Sequence, residues 1–219
     1  MTTSPISPPV FKGALVAVDP LRPTSSVIIF QYNPETMTRT LQARTTGGEA
    51  GSGPLRLSGP PEETIKLTIE IDATDRLEVG DPIAETLGIA PALAALELLL
   101  YPSSVAVIAN EVLARVGVVE ILPMAAPLTL LVWGTRRIIP VRVTDFSITE
   151  ESFDPSLNPI RAKVDLGLRT VSYYDTGMLS AAGALSLAAH IAREVLGTVN
   201  TAEGAAAAIR SAAGVGGPS

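Results

Sequence analysis

Apolar and polar positions alternate along the first third of the chain and again from residue 127 to 174. Period two is the mark of a strand with one covered face. "FKGALVAVDP" (Phe11–Pro20), "SSVIIFQYN" (Ser25–Asn33) and "TMTRTLQAR" (Thr36–Arg44) read as three strands. The third sets Met37, Arg39 and Leu41 against Thr38, Thr40 and Gln42. The clearest strand is "TIKLTIEID" (Thr64–Asp72), with Ile65, Leu67, Ile69 and Ile71 on one side and Lys66, Thr68 and Glu70 on the other. "PLTLLVWG" (Pro127–Gly134) is apolar on both faces and is expected to be buried. A turn at Gly134–Arg136 leads into "RIIPVRVTDFSITEESF" (Arg137–Phe153), which reads as Val141, Val143 and Asp145 facing Arg142, Thr144 and Phe146. Pro140 predicts a free edge or a bulge there, because proline lacks the ladder donor. After the turn "DPSLNP", the strand "IRAKVDLGLRTVSYY" (Ile160–Tyr174) puts Ala162, Val164, Leu166 and Leu168 on one face.

Between and after these strands the pattern becomes helical. "GIAPALAALELLLYP" (Gly88–Pro102) has proline in its first turn and just past its end, a helix signature. It belongs to an insertion of about residues 73–126, whose second part, Ser104–Pro123, is either more helix or irregular. A helix expected from Gly177 ends at Gly197, a C-terminal cap, and the low-complexity stretch after it reads either as a frayed helix or as no structure. Thr45–Glu63 is rich in Gly, Pro and Ser and reads as a long loop. Residues 1–10 read as a flexible arm, 11–175 as a β domain and 176–219 as a helix with a low-complexity tail. The expected class is mainly β with flanking helices (α+β).

Composition adjusts this picture. Apolar residues make up 47% of the chain and charged residues 17%, below the roughly 25% of ordinary soluble domains. A surface this poor in charge is easier to explain when other chains cover part of it. The net charge is −6, with no run of Lys or Arg to follow a phosphate backbone, so nucleic acid is not an expected partner. There is no cysteine, which rules out disulfides and thiolate metal sites. No signal peptide is expected, and no segment offers the roughly 20 strongly apolar residues of a membrane span.

Candidate chemistry is sparse. His190 is the single histidine and lies in an Ala-rich helix without a neighbouring acid-and-nucleophile pattern. It reads as a surface or packed residue. No G-x-S-x-G elbow is present. "GGEAGSG" (Gly47–Gly53) lacks the Lys–Ser/Thr ending of a phosphate loop. "IDATD" (Ile71–Asp75) could ligate a hard cation, but acids at a strand end are turn-formers by default. Glu62/Glu63 and Glu150/Glu151 read as solvated. No catalytic residue, cofactor or metal site is expected, and the chain does not read as an enzyme.

The residues that do stand out are in turns: "FQYNPE" (Phe30–Glu35), "VWGTRR" (Val132–Arg137) and "FDPSLNPIRA" (Phe153–Ala162). Asn-Pro and Asp-Pro steps fix chain direction, since proline sets its own φ and biases its predecessor to extended geometry. Taken in order, F-x-Y-N-P-E, V-W-G and F-x-I-T-E-x-x-F-x-P-x-L-N-P-I-R-A-x-V-x-L resemble the tube-type baseplate proteins of contractile injection systems, over roughly Phe11 to Tyr174. The resemblance implies a phage tail-tube-like β-barrel or sandwich. It also implies a homo-hexameric ring between the spike (hub) protein and the tube or a second tube-initiator protein, with baseplate wedge or sheath as further neighbours. Localisation would be cytoplasmic, within a phage tail-like particle. Many relatives carry a C-terminal LysM-like domain; after Tyr174 this sequence reads instead as an Ala-rich helix and a low-complexity tail.

Candidate assembly contacts are Phe30, Asn33, Pro34 and Glu35 in the first motif, Phe146, and Phe153, Asp154, Pro155, Asn158 and Pro159 in the hairpin turn. Arg161, Lys163 and Arg169 lie on a polar face suited to a water-filled channel or a charged joint. Replacing Asn158–Pro159 by Ala–Ala is expected to block assembly while the monomer still folds. The alternatives are a main tube or tube-terminator subunit of the same kind of particle and, in another class, a non-catalytic ligand- or carbohydrate-binding β domain.

Overall fold

The computed structural model describes residues 11–18, 26–46, 56–115, 127–135 and 137–214. The arm at 1–10, the Gly47–Gly53 loop, residues 116–126 of the insertion, Arg136 in the Gly134 turn and the last five residues lie outside them. Nine strands and six helices are formed among the described residues. The strands are β1 (Ala14–Val18), β2 (Ser26–Ile29), β3 (Met37–Gln42), β4 (Thr45–Thr46), β5 (Arg56–Leu57), β6 (Glu62–Asp72), β7 (Leu128–Val132), β8 (Ile138–Phe153) and β9 (Pro159–Thr170). The helices are α1 (Thr74–Glu78), α2 (Pro82–Leu87), α3 (Ala90–Glu97), α4 (Ser104–Arg115), α5 (Tyr173–Thr176) and α6 (Ala181–Gly214).

Seven strands form one antiparallel sheet in the order β2-β1-β7-β8-β9-β6-β3, so the protein is α+β as expected. The short β4–β5 hairpin stands apart. It occupies the two ends of what reads as a loop, and β6 begins at Glu62, inside that loop. One face of the sheet is the core. Ile65, Leu67, Ile69 and Ile71 of β6 lie beside Leu168, Leu166, Val164 and Ala162 of β9, all buried. Leu15, Phe30, Leu131 and Val141 extend this layer. The helical insertion closes it with Ala73, Ala84, Ile89, Leu93, Leu96 and Leu99.

Two expectations are corrected, and a third, at Pro140, is met. β8 carries a register shift between Val143 and Asp145, so two residues span one partner step and the side-chain parity flips. Val143 therefore shares its face with Phe146 and Ile148, which pack on the core, and Asp145 turns outward with Ser147. Pro140 does lie at a locally free edge: it pairs with Leu130 of β7 on one side, and on the other its nitrogen faces the point beyond the last β8–β9 pair, Val141 with Thr170. It sits where the β9 ladder has just ended, and its carbonyl accepts the Val171 N–H at 2.8 Å. Finally, α6 does not stop at Gly197 but continues to Gly214. A mid-helix glycine costs about 1 kcal/mol, and a 34-residue Ala-rich helix tolerates that.

Candidate functional site

Strand pairing around the long hairpin is uneven. β9 has β6 along one side (Asp72–Thr64 against Arg161–Arg169) and β8 along the other. β7 covers only Ile138–Val141 of β8. From Arg142 to Phe153 no described strand pairs with the remaining side of β8. β6 likewise meets β3 only over Glu62–Leu67. Toward the hairpin tip the sheet is thus β8-β9-β6, with β3 flanking only the Glu62–Leu67 half of β6, and the outer edges of β8 beyond Val141 and of β3 meet no described strand.

The face turned away from the core is polar and charge-balanced. Lys163 lies 3.0 Å from Glu151 and 3.9 Å from Glu70. Arg169 meets Glu62 at 2.7 Å, and Thr68 bonds Asp165. The hydrogen bond from Lys163 to Glu151, with the Glu151 and Glu70 charges, raises the Lys163 pKa. Side-chain cations and carboxylates on adjacent strands repeat across this surface, which suits contact with water rather than with a second apolar layer. The cross-strand row Lys66–Gly167–Asp145 is crowded. A Cβ on Gly167 would meet Asp145 Cβ at 2.8 Å, so only glycine fits there.

At the hairpin turn, the proposed contact residues turn inward as much as outward. Asp154 Oδ1 accepts the N–H of Ser156 at 2.7 Å and of Asn158 at 2.8 Å, while Oδ2 accepts Asn158 Nδ2 at 2.8 Å. The Asn158 side-chain bond, its N–H and then the Ser156 N–H hold the Asp154 carboxyl below its usual range. Asn158 also donates to the Thr86 carbonyl at 3.1 Å, and the Ile89 N–H donates to the Pro159 carbonyl at 2.8 Å. Gly88, between them, has φ +58°, and a Cβ there would collide with the Pro159 carbonyl. The turn is therefore docked on the α2–α3 corner of its own chain. Asn158 and Pro159 serve folding, so replacing them would disturb the monomer as well as any assembly. What the turn exposes is Pro155, Ser156 and Leu157, the last with φ +65° and 79% exposed, beside Phe153, 49% exposed.

Arg161 lies at the base of this unit. Its guanidinium grips Asp72 Oδ2 at 2.6 and 2.7 Å, while Asp72 Oδ1 accepts the Thr74 N–H at 2.7 Å and the Thr74 hydroxyl. Burial pushes the Asp72 carboxyl up, but the bonds from Thr74 and Arg161 outweigh it and leave the group below its usual range. Asp72 is thus the turn-former and ion-pair partner of its strand end. Among the described residues no cluster of three or more His, Cys, Asp or Glu is placed to hold a metal.

The first motif is likewise partly internal. Phe30 is 2% exposed and tilts against Trp133 with ring centroids 6.5 Å apart, so its side chain belongs to the core and not to a contact between copies. Asn33 accepts the Gly13 N–H and donates to the Phe11 carbonyl, both at 2.9 Å. Tyr32, Pro34 and Glu35 remain at the mouth of a cleft of about 630 Å³ that includes Lys12 and Glu70.

Sequence reasoning missed one cluster. Glu63 reads as solvated but is 2% exposed. Arg39 of β3 and Arg193 of α6 both bond it, the latter at 2.9 Å. Two cations around one buried carboxylate offset its desolvation and pin α6 to the sheet. Only the alternation of β6, continued back past Thr64 to place Glu63 with Ile65, hints at it. The His190 ring lies parallel to that of Tyr173, with centroids 6.1 Å apart and its Nδ1 3.3 Å from the Tyr173 hydroxyl, and its Nε2 is 3.6 Å from Glu194. Comparison with known proteins gives no match, neither to a family model nor to a curated protein. No helix among the described residues is long and apolar enough to cross a membrane.

Proposed function

We propose that this chain is a structural ring subunit of a phage tail-like contractile injection particle, placed where the inner tube meets the spike. In this reading the fold is of the tail-tube type. The strands β8-β9-β6-β3 of each copy form one segment of a continuous β-lined channel. The open β8 edge of one copy pairs with the open β3 edge of the next, head to tail, and closure of the ring leaves no edge free. The polar face bearing Lys163, Asp165 and Arg169 lines the lumen. The observation that carries the proposal is the length of β8, Arg142–Phe153, that has a strand on one side only among the described residues. An exposed edge this long invites aggregation unless a partner uses it.

The chain acts here by assembly and not by catalysis. Its partners are sister copies, then the spike protein on one face and tube or tube-initiator protein on the other. The test is the mass of the purified chain together with electron micrographs of particles from a strain producing the Phe153→Asp variant. A hexamer for the natural chain, and loss of particles for the variant with its fold intact, are the expected results. A monomer at every concentration, or normal particles, would sink the proposal. Copy number separates the junction from the tube itself: six per particle for a junction ring, hundreds for a tube subunit.

A further inference from the structure

Toward its tip, β6 has a strand on one side only among the described residues. β3 stops at Met37, opposite Leu67, and β9 alone accompanies Thr68–Asp72. Two hydrogen bonds show which main-chain groups face the free side. The Asp72 N–H points away from β9 and donates to Gln31 Oε1 at 2.9 Å. The next N–H, of Ala73, donates to the Ile160 carbonyl of β9 at 2.9 Å. Main-chain groups alternate sides along a strand, so those of Thr68 and Glu70 also face away from β9. Both residues are exposed, and both line the cleft of about 630 Å³ whose other wall is Gln31–Thr36.

A second hollow lies on the core side of the same gap. Ile28, Phe30, Ile69, Ile71 and Ala92 line a mainly apolar cavity of about 400 Å³, which shares Gln31 and Glu70 with the cleft. An open strand edge above an apolar cavity is the form of a strand-addition site: main-chain groups give the pairing, and the cavity takes alternate side chains.

We propose that residues 2–7 of this chain, in the arm that precedes Phe11, add to β6 as a strand across this cleft. The chain is delivered to that place. Asn33 holds the Phe11 carbonyl and the Gly13 N–H, both at 2.9 Å, and Lys12 lines the cleft itself. Pro8–Val10 can span about 10 Å, the reach such a cleft asks for. The prolines choose the parity. With Thr2, Ser4 and Ile6 turned edge-on to β6, every bonding position carries an N–H, and Pro5, which has none, falls on the far side. The opposite parity sets Pro5 against β6 and loses a bond. The same choice puts the Pro5 ring on the core side, over the apolar cavity, and Thr2 and Ser4 on the polar face with Thr68. Pro8 then ends the strand, and Pro5 blunts its outer edge. With β6 covered by its own chain, the β8 and β3 edges are the ones left for sister copies. The inference goes beyond the ring reading and does not depend on it.

The absence of cysteine makes the test clean. Directly opposite residues of a bonded pair stand about 5.5 Å apart, within reach of a disulfide. Full-length double variants Ser4→Cys/Thr68→Cys and Ser4→Cys/Glu70→Cys, which cover a shift in register, are oxidised at high dilution. A disulfide within the monomer in one of them is expected, and none in Thr3→Cys/Thr68→Cys, whose side chains lie on opposite faces. No link in either Ser4 variant would overturn the proposal. Linked dimers from a mixture of the single variants Ser4→Cys and Thr68→Cys, in place of linked monomers, would overturn it in favour of an arm exchanged between copies. Hydrogen exchange gives an independent check. Ile6→Pro removes a bonding N–H and should speed exchange of the Thr68 and Glu70 amides about tenfold or more, while Ser7→Pro, at the other parity, should leave them unchanged. Equal effects of the two, or none from either, would contradict the inference.

Discussion

The two strands of the long hairpin are neighbours in one ladder yet are built differently. β9 has strands on both sides and buries Ala162, Val164, Leu166 and Leu168 at 2% exposure or less. Beyond Val141, β8 has one strand partner among the described residues and no buried residue; Val143, Phe146 and Ile148 are only half-covered. A strand that serves its own fold is recognised by two ladders and an apolar stripe. β8 keeps the hydrogen-bonding capacity of a central strand at a position where no described strand of its own chain pairs with it. The difference separates what holds one copy together from what is left over for others.

The strongest way to test that separation is to damage the β9 side. Leu168→Ala should lower monomer stability by about 2–5 kcal/mol through lost burial and a residual cavity, measured by denaturant unfolding. A loss below 1 kcal/mol would mean that β9 is not the keystone. Next is the joint that docks the hairpin turn. Gly88→Ala forces a side chain into a positive-φ site against the Pro159 carbonyl, and about 1–3 kcal/mol of strain is expected. Asn158→Ala removes donors to Asp154 and Thr86 and should cost about 1–2 kcal/mol. If Asn158→Ala left the monomer unchanged but stopped assembly, the turn would belong to the contact between copies after all.

Acid should act on the same joint. Asp72 and Asp154 have carboxyl pKa values below the usual range in the folded chain. Their contribution is therefore complete above the ordinary carboxylate value of about 4 and is lost as pH falls through the lower folded values. Melting curves taken between pH 7 and 2 should show this acid limb, and Asp72→Asn should shrink it. The smallest effect on the monomer belongs to the outward residues. Phe153→Asp should change stability by about 0.5 kcal/mol or less while abolishing the ring.

Much of the core was legible in the sequence. The alternation of Ile65 to Ile71 and of Ala162 to Leu168 sets both faces of β6 and β9, because one covered face imposes period two. The parity flip in β8 was also written there: apolar positions move from Val141 and Val143 to Phe146 and Ile148, a change that only an extra residue can produce. Other features were not legible because long-range partners decide them. Glu63 is buried on account of Arg193, 130 residues away. β4 and β5 are too short to show a period, and α6 runs through glycines that usually end helices. Of the proposed contacts, the polar face of Arg161, Lys163 and Arg169 lies where its pattern put it. Phe30 and Phe146 do not, since apolar character alone cannot tell a core residue from a docking one.

The most direct measurement is hydrogen–deuterium exchange of the backbone amides from Asp145 to Phe153, in the dilute monomer and in the assembled particle. In the monomer, amides bonded to β9 should be protected, and those facing the open side should exchange fast. On assembly the fast set should slow to the level of β9, as a new strand takes up the edge. Amides that stay equally fast inside the intact particle would show that no sister strand ever meets them, and the account would fail.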